Sequence, residues 1–192
     1  MISITTRTKE FIQPLLYKDD DKSLDTIMYV CTTEITQGPW QNCTIISADR
    51  INGEFTKTHG HYHQENASDE TYKVLQGKGV FVLQKKFISD GKWDQGRVKE
   101  VFFVEAEEGD EIIVKPHWAH SWSNVGKNPL IVLDNWKDGH TPDDYTPIIK
   151  YKGMAYYLIE DKGNITYVPN NNYKDLPQPR FISAKDFAIN NY

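Results

Sequence analysis

An all-β fold is what this 192-residue chain predicts. Three observations carry that reading. Short apolar stretches rich in β-branched and aromatic residues recur along the chain, turn residues punctuate them, and no stretch keeps a helical period. Eleven Tyr and five Trp suit strands and an aromatic-lined cavity better than a helical bundle. A sandwich or barrel of short strands follows.

Taken in order, the strands expected are Thr26–Thr33, Cys43–Ala48, Thr56–His63, Thr71–Gln76, Gly79–Lys86 and Val98–Glu105. Asp110–Lys115, Ala119–Asn124, Pro129–Trp136, Ala155–Glu160 and Ile165–Pro169 complete the set. Gly77-Lys78-Gly79, Ser89-Asp90-Gly91, Glu108-Gly109-Asp110, Gly126-Lys127-Asn128 and Asp161-Lys162-Gly163-Asn164 are the turns between them. The best helical candidate is a short one at Lys9–Leu16. Ser89–Lys99 reads as an extended hairpin tip, and Asn170–Pro179 as an irregular arm leading to Arg180–Phe187.

Length and composition place the chain among ordinary single-domain proteins, with a core at about 26–169, an N-terminal arm at 1–25 and a C-terminal tail at 170–192. A net charge of −5 without a basic stripe argues against nucleic acid as partner. Cys31 and Cys43 are too few for a disulfide framework and read as reduced thiols. The first residues lack an apolar run of signal-peptide length, and no stretch approaches the roughly 18 apolar residues of a membrane span. A cytoplasmic protein without membrane partners is expected.

The chemistry concentrates between Thr58 and Tyr72. There the chain reads Thr58-His59-Gly60-His61-Tyr62-His63, then six residues, then Glu70-Thr71-Tyr72. Residues two apart on a strand share a face, so His61 and His63 converge while His59 points away. Glu70 and Tyr72 obey the same parity on the next strand, and His120 supplies a fourth ligand from another. All six histidines lie between His59 and His140. Three neutral imidazoles and one carboxylate make a borderline site for Fe²⁺, Mn²⁺, Ni²⁺, Co²⁺ or Zn²⁺, and a poor one for Mg²⁺ or Ca²⁺.

These two blocks resemble the paired motifs of the cupin superfamily, a jelly-roll antiparallel β-barrel that holds one metal. More narrowly, Thr56 to His63 with Glu70-x-Tyr72 resembles the cupin-type glucose-6-phosphate isomerases. Six residues separate His63 from Glu70, as in that family, where the general cupin pattern has three or four. Leu75 to Gly79, Trp118-Ala119-His120, Asn135 to His140 and Val168 to Tyr173 add to the likeness. It departs at Trp136, where tyrosine is usual, at Ser121-Trp122, and at the lengthened hairpin Ser89–Lys99.

The resemblance implies a metal-dependent isomerase that interconverts glucose 6-phosphate and fructose 6-phosphate in glycolysis or gluconeogenesis, working as a homodimer. Its metal, Fe²⁺ or Mn²⁺ foremost, falls on His61, His63, Glu70 and His120. Thr44, Thr58 and the Gly60 amide grip the phosphate, Tyr72 and Tyr29 line the sugar pocket, and His140 stands at its far end. Glu70, Tyr72 and His140 are the implied catalytic residues. Glu70 moves a proton between C1 and C2, or serves only as a ligand while a hydride shifts. Three alternatives stay open: an isomerase or epimerase of another sugar or sugar phosphate, an Fe-dependent cupin dioxygenase, and a non-catalytic sugar-binding cupin.

Overall fold

The computed structural model describes residues 2–35, 38–64 and 67–190. Fourteen strands among them are ordered into three sheets. The largest is six-stranded, with β1 (Ser3–Thr8), β2 (Ile27–Thr33), β3 (Asn42–Ile46), β11 (Leu130–Asp134), β6 (Glu70–Gln76) and β9 (Glu111–Val114) side by side in that order. The second places β10 (Trp118–Asn124), β7 (Lys78–Ser89), β8 (Lys92–Glu107) and β14 (Arg180–Ser183) in a row. The third joins β13 (Asn164–Pro169), β12 (Tyr156–Asp161), β5 (Glu54–Phe55) and β4 (Arg50–Ile51). Every strand pairing is antiparallel except β14 on β8. The all-β architecture is as expected; a closed ring of ladders is not seen among the described residues.

Strand parity explains the layering. On β7, Phe81 and Leu83 point to a core shared with Tyr72, Val74 and Val132 of the six-stranded sheet. Their neighbours Val80 and Val82 face the other way, onto Met154, Tyr156 and Leu158 beneath the third sheet. A strand sandwiched on both faces needs an uninterrupted apolar run, and Gly79-Val80-Phe81-Val82-Leu83 supplies one. Full burial of each such side chain stabilises the fold by about 1.5–3 kcal/mol. The two-residue turn at Asp90 and Gly91, with φ of +50° and +70°, closes the long β7–β8 hairpin where an extended tip was expected.

The expected strand Thr56–His63 does not form as a regular strand. Its residues run along the free edge of β10 and form two isolated bridges with it, Lys57 with Ser123 and His61 with His120. Gly60 interrupts the run at φ +79°, a conformation that L side chains rarely adopt. The buried start of this segment is stapled in place: Lys57 Nζ donates to Glu54 and to the Leu15 carbonyl at 2.6 Å, and the Tyr17 N–H donates to Glu54 at 2.7 Å.

Helices are few. The Lys9–Leu16 candidate becomes α1 (Lys9–Ile12) followed by one 3₁₀ turn at Gln13–Leu15. Two more were not expected: α2 (Pro142–Lys150) and α3 (Ala184–Asn190). A capping box between Thr141 and Asp144 starts α2, with Pro142 at its first position. No helix is long and apolar enough to cross a membrane among the described residues.

Candidate metal centre and cavity

His61, His63, Glu70 and His120 are all buried, and one ligand atom from each lies within 4.8 Å of the others. The broken edge strand delivers His61 and His63, β6 begins at Glu70, and β10 carries His120. His61 is locked to His120 by reciprocal backbone bonds, 3.2 Å from the His61 N–H and 3.1 Å from the His120 N–H. The parity argument for His61 and His63 thus reached the right pair through a strand that is not there. His59, taken as pointing away, packs its ring between Phe11 and Tyr145 and stays outside the cluster.

Glu70 Oε2 lies 2.9 Å from His63 Nε2 and 3.1 Å from His120 Nε2. Burial works against this carboxylate, but the two imidazoles outweigh it and hold Glu70 below the usual carboxylate range. Burial pushes His61 well below the ordinary imidazole range, and the facing histidines push it the same way. His120 is also lowered by burial, with Glu70 opposing. His61 Nε2 is buried without a hydrogen-bond partner. Three imidazoles, two of them held neutral by burial, one ionised carboxylate and an orphaned ring nitrogen converging on one point fit a divalent transition ion.

His61 and His120 of this cluster form the floor of a cavity of about 330 Å³. The inner face of the six-stranded sheet makes one wall. Its register aligns Thr5 with Cys31 and Thr44, and Arg7 with Tyr29 and Ile46, so these side chains share a face. Tyr29, Thr44, Thr58, Gly60, Tyr72 and His140 all line this cavity. The Tyr72 hydroxyl is 3.2 Å from His120 Nε2. Thr58 Oγ1 accepts the Trp122 N–H at 3.0 Å and lies 3.4 Å from Ser121 Oγ, whose own hydrogen goes to the Thr58 carbonyl at 2.7 Å. Among the described residues, the Thr44 hydroxyl makes a single, long 3.5 Å bond, to the Cys31 sulfur.

His140 stands at the rim, its ring 3.9 Å from that of His61 and parallel to the Trp136 indole at 5.8 Å. Trp136, noted above as a departure from tyrosine, is anchored by its Nε1–H on the Gly139 carbonyl at 2.7 Å and covers His63. Among the wall residues that escaped the sequence are Arg7, Asn42, Asp134 and Tyr145. Asp134 accepts from Asn42 Nδ2 at 2.5 Å and from the Trp136 N–H at 3.0 Å. Burial, aided by the Glu70 charge, raises its carboxyl to about 7. Tyr145 arrives on α2, whose capping box was the one readable signal.

The family model described as Glucose-6-phosphate isomerase (GPI) matches residues 32–177. The glucose-6-phosphate isomerases of Pyrococcus furiosus and Thermococcus onnurineus are 32% and 33% identical over 133 residues, 68% of this chain. That stretch spans 62% of the length of each relative. Among solved structures, a predicted oxalate decarboxylase from Thermotoga maritima overlaps with a TM-score of 0.35 at 19% identity, covering 55% of this chain and 76% of that one. A score of that size carries no weight for fold or chemistry.

Proposed function

The chain belongs to the glucose-6-phosphate isomerase family, and on that premise we propose that it interconverts glucose 6-phosphate and fructose 6-phosphate with a divalent transition ion held by His61, His63, Glu70 and His120. The observation that carries the reading is one cavity with hydroxyl-bearing walls, floored by two imidazoles of a buried three-histidine, one-carboxylate cluster. Fe²⁺ and Mn²⁺ are the ions proposed first. Bound there, the ion supplies Lewis acidity toward the neighbouring C1 and C2 oxygens of the open-chain sugar.

The chain's own groups do the rest. Thr44 and Thr58 hydroxyls, with the Gly60 N–H, hold the phosphate and fix the register of the sugar over the floor. Tyr29 and Tyr72 bound the sugar, and the Tyr72 hydroxyl donates to a substrate oxygen. His140 at the rim assists ring opening. Glu70 takes a proton from one carbon and returns it to its neighbour. In the hydride variant of the reaction Glu70 stays a ligand throughout. Incubation in ²H₂O distinguishes the two, since proton transfer exchanges label with solvent and a direct shift does not.

The proposal is tested by fructose 6-phosphate conversion in metal-free and Mn²⁺-, Fe²⁺- or Zn²⁺-loaded protein, with His61→Ala and Glu70→Ala as controls. Conversion by loaded wild type alone supports it. Absence of conversion under all loadings sinks it. A homodimer with a cytoplasmic, glycolytic or gluconeogenic role belongs to the same reading. Ile4, Ile45, Leu75 and Ile113, opposite in parity to the cavity wall and exposed, support a dimer through the outer sheet face. Sedimentation at a single-chain mass would remove that part.

A further inference from the structure

We propose that Arg7, carried by the N-terminal strand β1, is a specificity-determining residue that recognises the anionic group of the substrate, in addition to the hydroxyls and the backbone amide. This inference rests on the sugar-phosphate reading above. β1 lies outside the residues matched by the family model, which begin at 32.

Position is the first observation. Arg7 is the cross-strand partner of Tyr29, and Tyr29 in turn pairs with Ile46 of the apolar core. The three therefore share the inner face of the sheet, and Arg7 lines the cavity beside Tyr29. The Tyr29 hydroxyl accepts the His59 N–H at 3.3 Å, which ties this corner to the Thr58–Gly60 backbone. Arg7 thus stands at the end of the cavity where Thr44, Thr58 and the Gly60 amide lie.

Charge is the second. Glu34 lines the cavity, the buried Glu70 carboxylate lies 3.1 Å from His120 at its floor, and the chain carries a net charge of −5. That field repels a phosphate dianion unless a local cation offsets it. Arg7 and Lys137 are the lysine or arginine side chains that line the cavity among the described residues. Lys137 is solvent-exposed and follows Trp136, in the loop that carries His140.

Arg7's lack of a partner is the third. No carboxylate among the described residues pairs with its guanidinium. It rests instead on the Phe11 ring, 4.2 Å from the centroid. Phe11 packs on His59, which meets Tyr145 edge-on. An aromatic shelf of this kind fixes the guanidinium plane and leaves its N–H donors unspent, the geometry that bidentate phosphate recognition uses.

Arg7→Gln and Arg7→Lys test this through binding of 6-phosphogluconate and of gluconate, measured by calorimetry on metal-loaded protein whose metal content and melting curve match wild type. Loss of a charge-assisted pair predicts a fall of roughly 10- to 100-fold in 6-phosphogluconate affinity for Arg7→Gln. Gluconate affinity stays unchanged, and Arg7→Lys recovers part of the loss. In turnover, KM for fructose 6-phosphate rises while kcat holds. Equal 6-phosphogluconate affinity in wild type and Arg7→Gln overturns the assignment, as does a loss confined to Lys137→Gln or a failure of wild type to bind the ligand. Arg7-dependent binding without isomerisation would refute the activity while leaving this residue's role standing.

Discussion

Replacing Gly60 with alanine tests how the metal centre is built into the backbone. Gly60 sits at φ +79°, and a Cβ there would meet Met154 Sδ at 3.1 Å, Ser121 Cβ at 3.2 Å and the His120 carbonyl oxygen at 3.3 Å. The left-handed conformation costs an alanine ~1–2 kcal/mol. The Met154 sulfur can swing away, but Ser121 Cβ and the His120 carbonyl cannot, and crowding against them adds about 1–3 kcal/mol. Loss of glycine's freedom in the unfolded chain returns about 0.4–1 kcal/mol. The net is a destabilisation of roughly 1–4.6 kcal/mol; at its midpoint, about 3 kcal/mol, Tm falls by about 6–12 °C for a chain of this size. Gly163 is the control: it shares φ +79° but has open space around its Cβ position. Gly163→Ala therefore loses only the backbone part, about 1 kcal/mol. Urea denaturation of both variants reads the difference. Because His61 and His120 are bonded to each other beside Gly60, metal retention should fall in Gly60→Ala and hold in Gly163→Ala. Stabilities within about 0.5 kcal/mol of each other would refute the crowding argument, since that is the scale of ordinary surface substitutions.

Three further outcomes are expected. Lys57→Met strands the buried Glu54 carboxylate and should cost about 3–5 kcal/mol in urea unfolding; a loss below about 1 kcal/mol would contradict the buried-pair account. Asp134 links stability to pH. Its folded carboxyl holds a proton up to about 7 while the unfolded one releases it near 3.8, so the stabilisation is full below pH 3.8 and fades as pH rises to 7. Metal-free wild type should therefore lose up to about 4 kcal/mol relative to Asp134→Asn across that interval, at about 1.4 kcal/mol per pH unit; a flat difference between the two titrations would exclude it. Glu70→Gln removes the one anionic donor of the cluster and should lower retained metal on the order of tenfold or more after dialysis, by elemental analysis, with the circular dichroism spectrum unchanged. Retention equal to wild type would show that the carboxylate is not a ligand.

The metal cluster was the most legible part of the sequence. His61, His63 and Glu70 are local, so spacing alone pointed at them, and His120 followed because few histidines exist to choose from. The backbone that holds them was misread. Alternation in Thr56–His63 looks like a strand, but Gly60 adopts a conformation that period-two reasoning ignores. Strand β1, Ser3-Ile4-Thr5-Thr6-Arg7-Thr8, has strand-forming residues yet was treated as an arm, because its partner β2 begins only at Ile27. Helix α2 hid behind two prolines in nine residues. Arg7, Asp134 and Tyr145 were invisible for a different reason. Each reaches the cavity by topology, from strands or a helix remote in sequence, and no local pattern marks a residue by the neighbours that folding will give it.

The β7–β8 hairpin has a further consequence, for the order in which the molecule assembles. Its two strands, of 12 and 16 residues, are joined by a two-residue turn, so the ladder can zip from the tip with almost no entropy spent on closing a loop. The six-stranded sheet, by contrast, must wait for β11 to reach back to β3 across more than 80 positions. The hairpin is thus the natural template, and β10 adds to it directly, setting His120 opposite Leu83. The histidine most distant in sequence from its fellow ligands is laid down on the surface that is ready earliest.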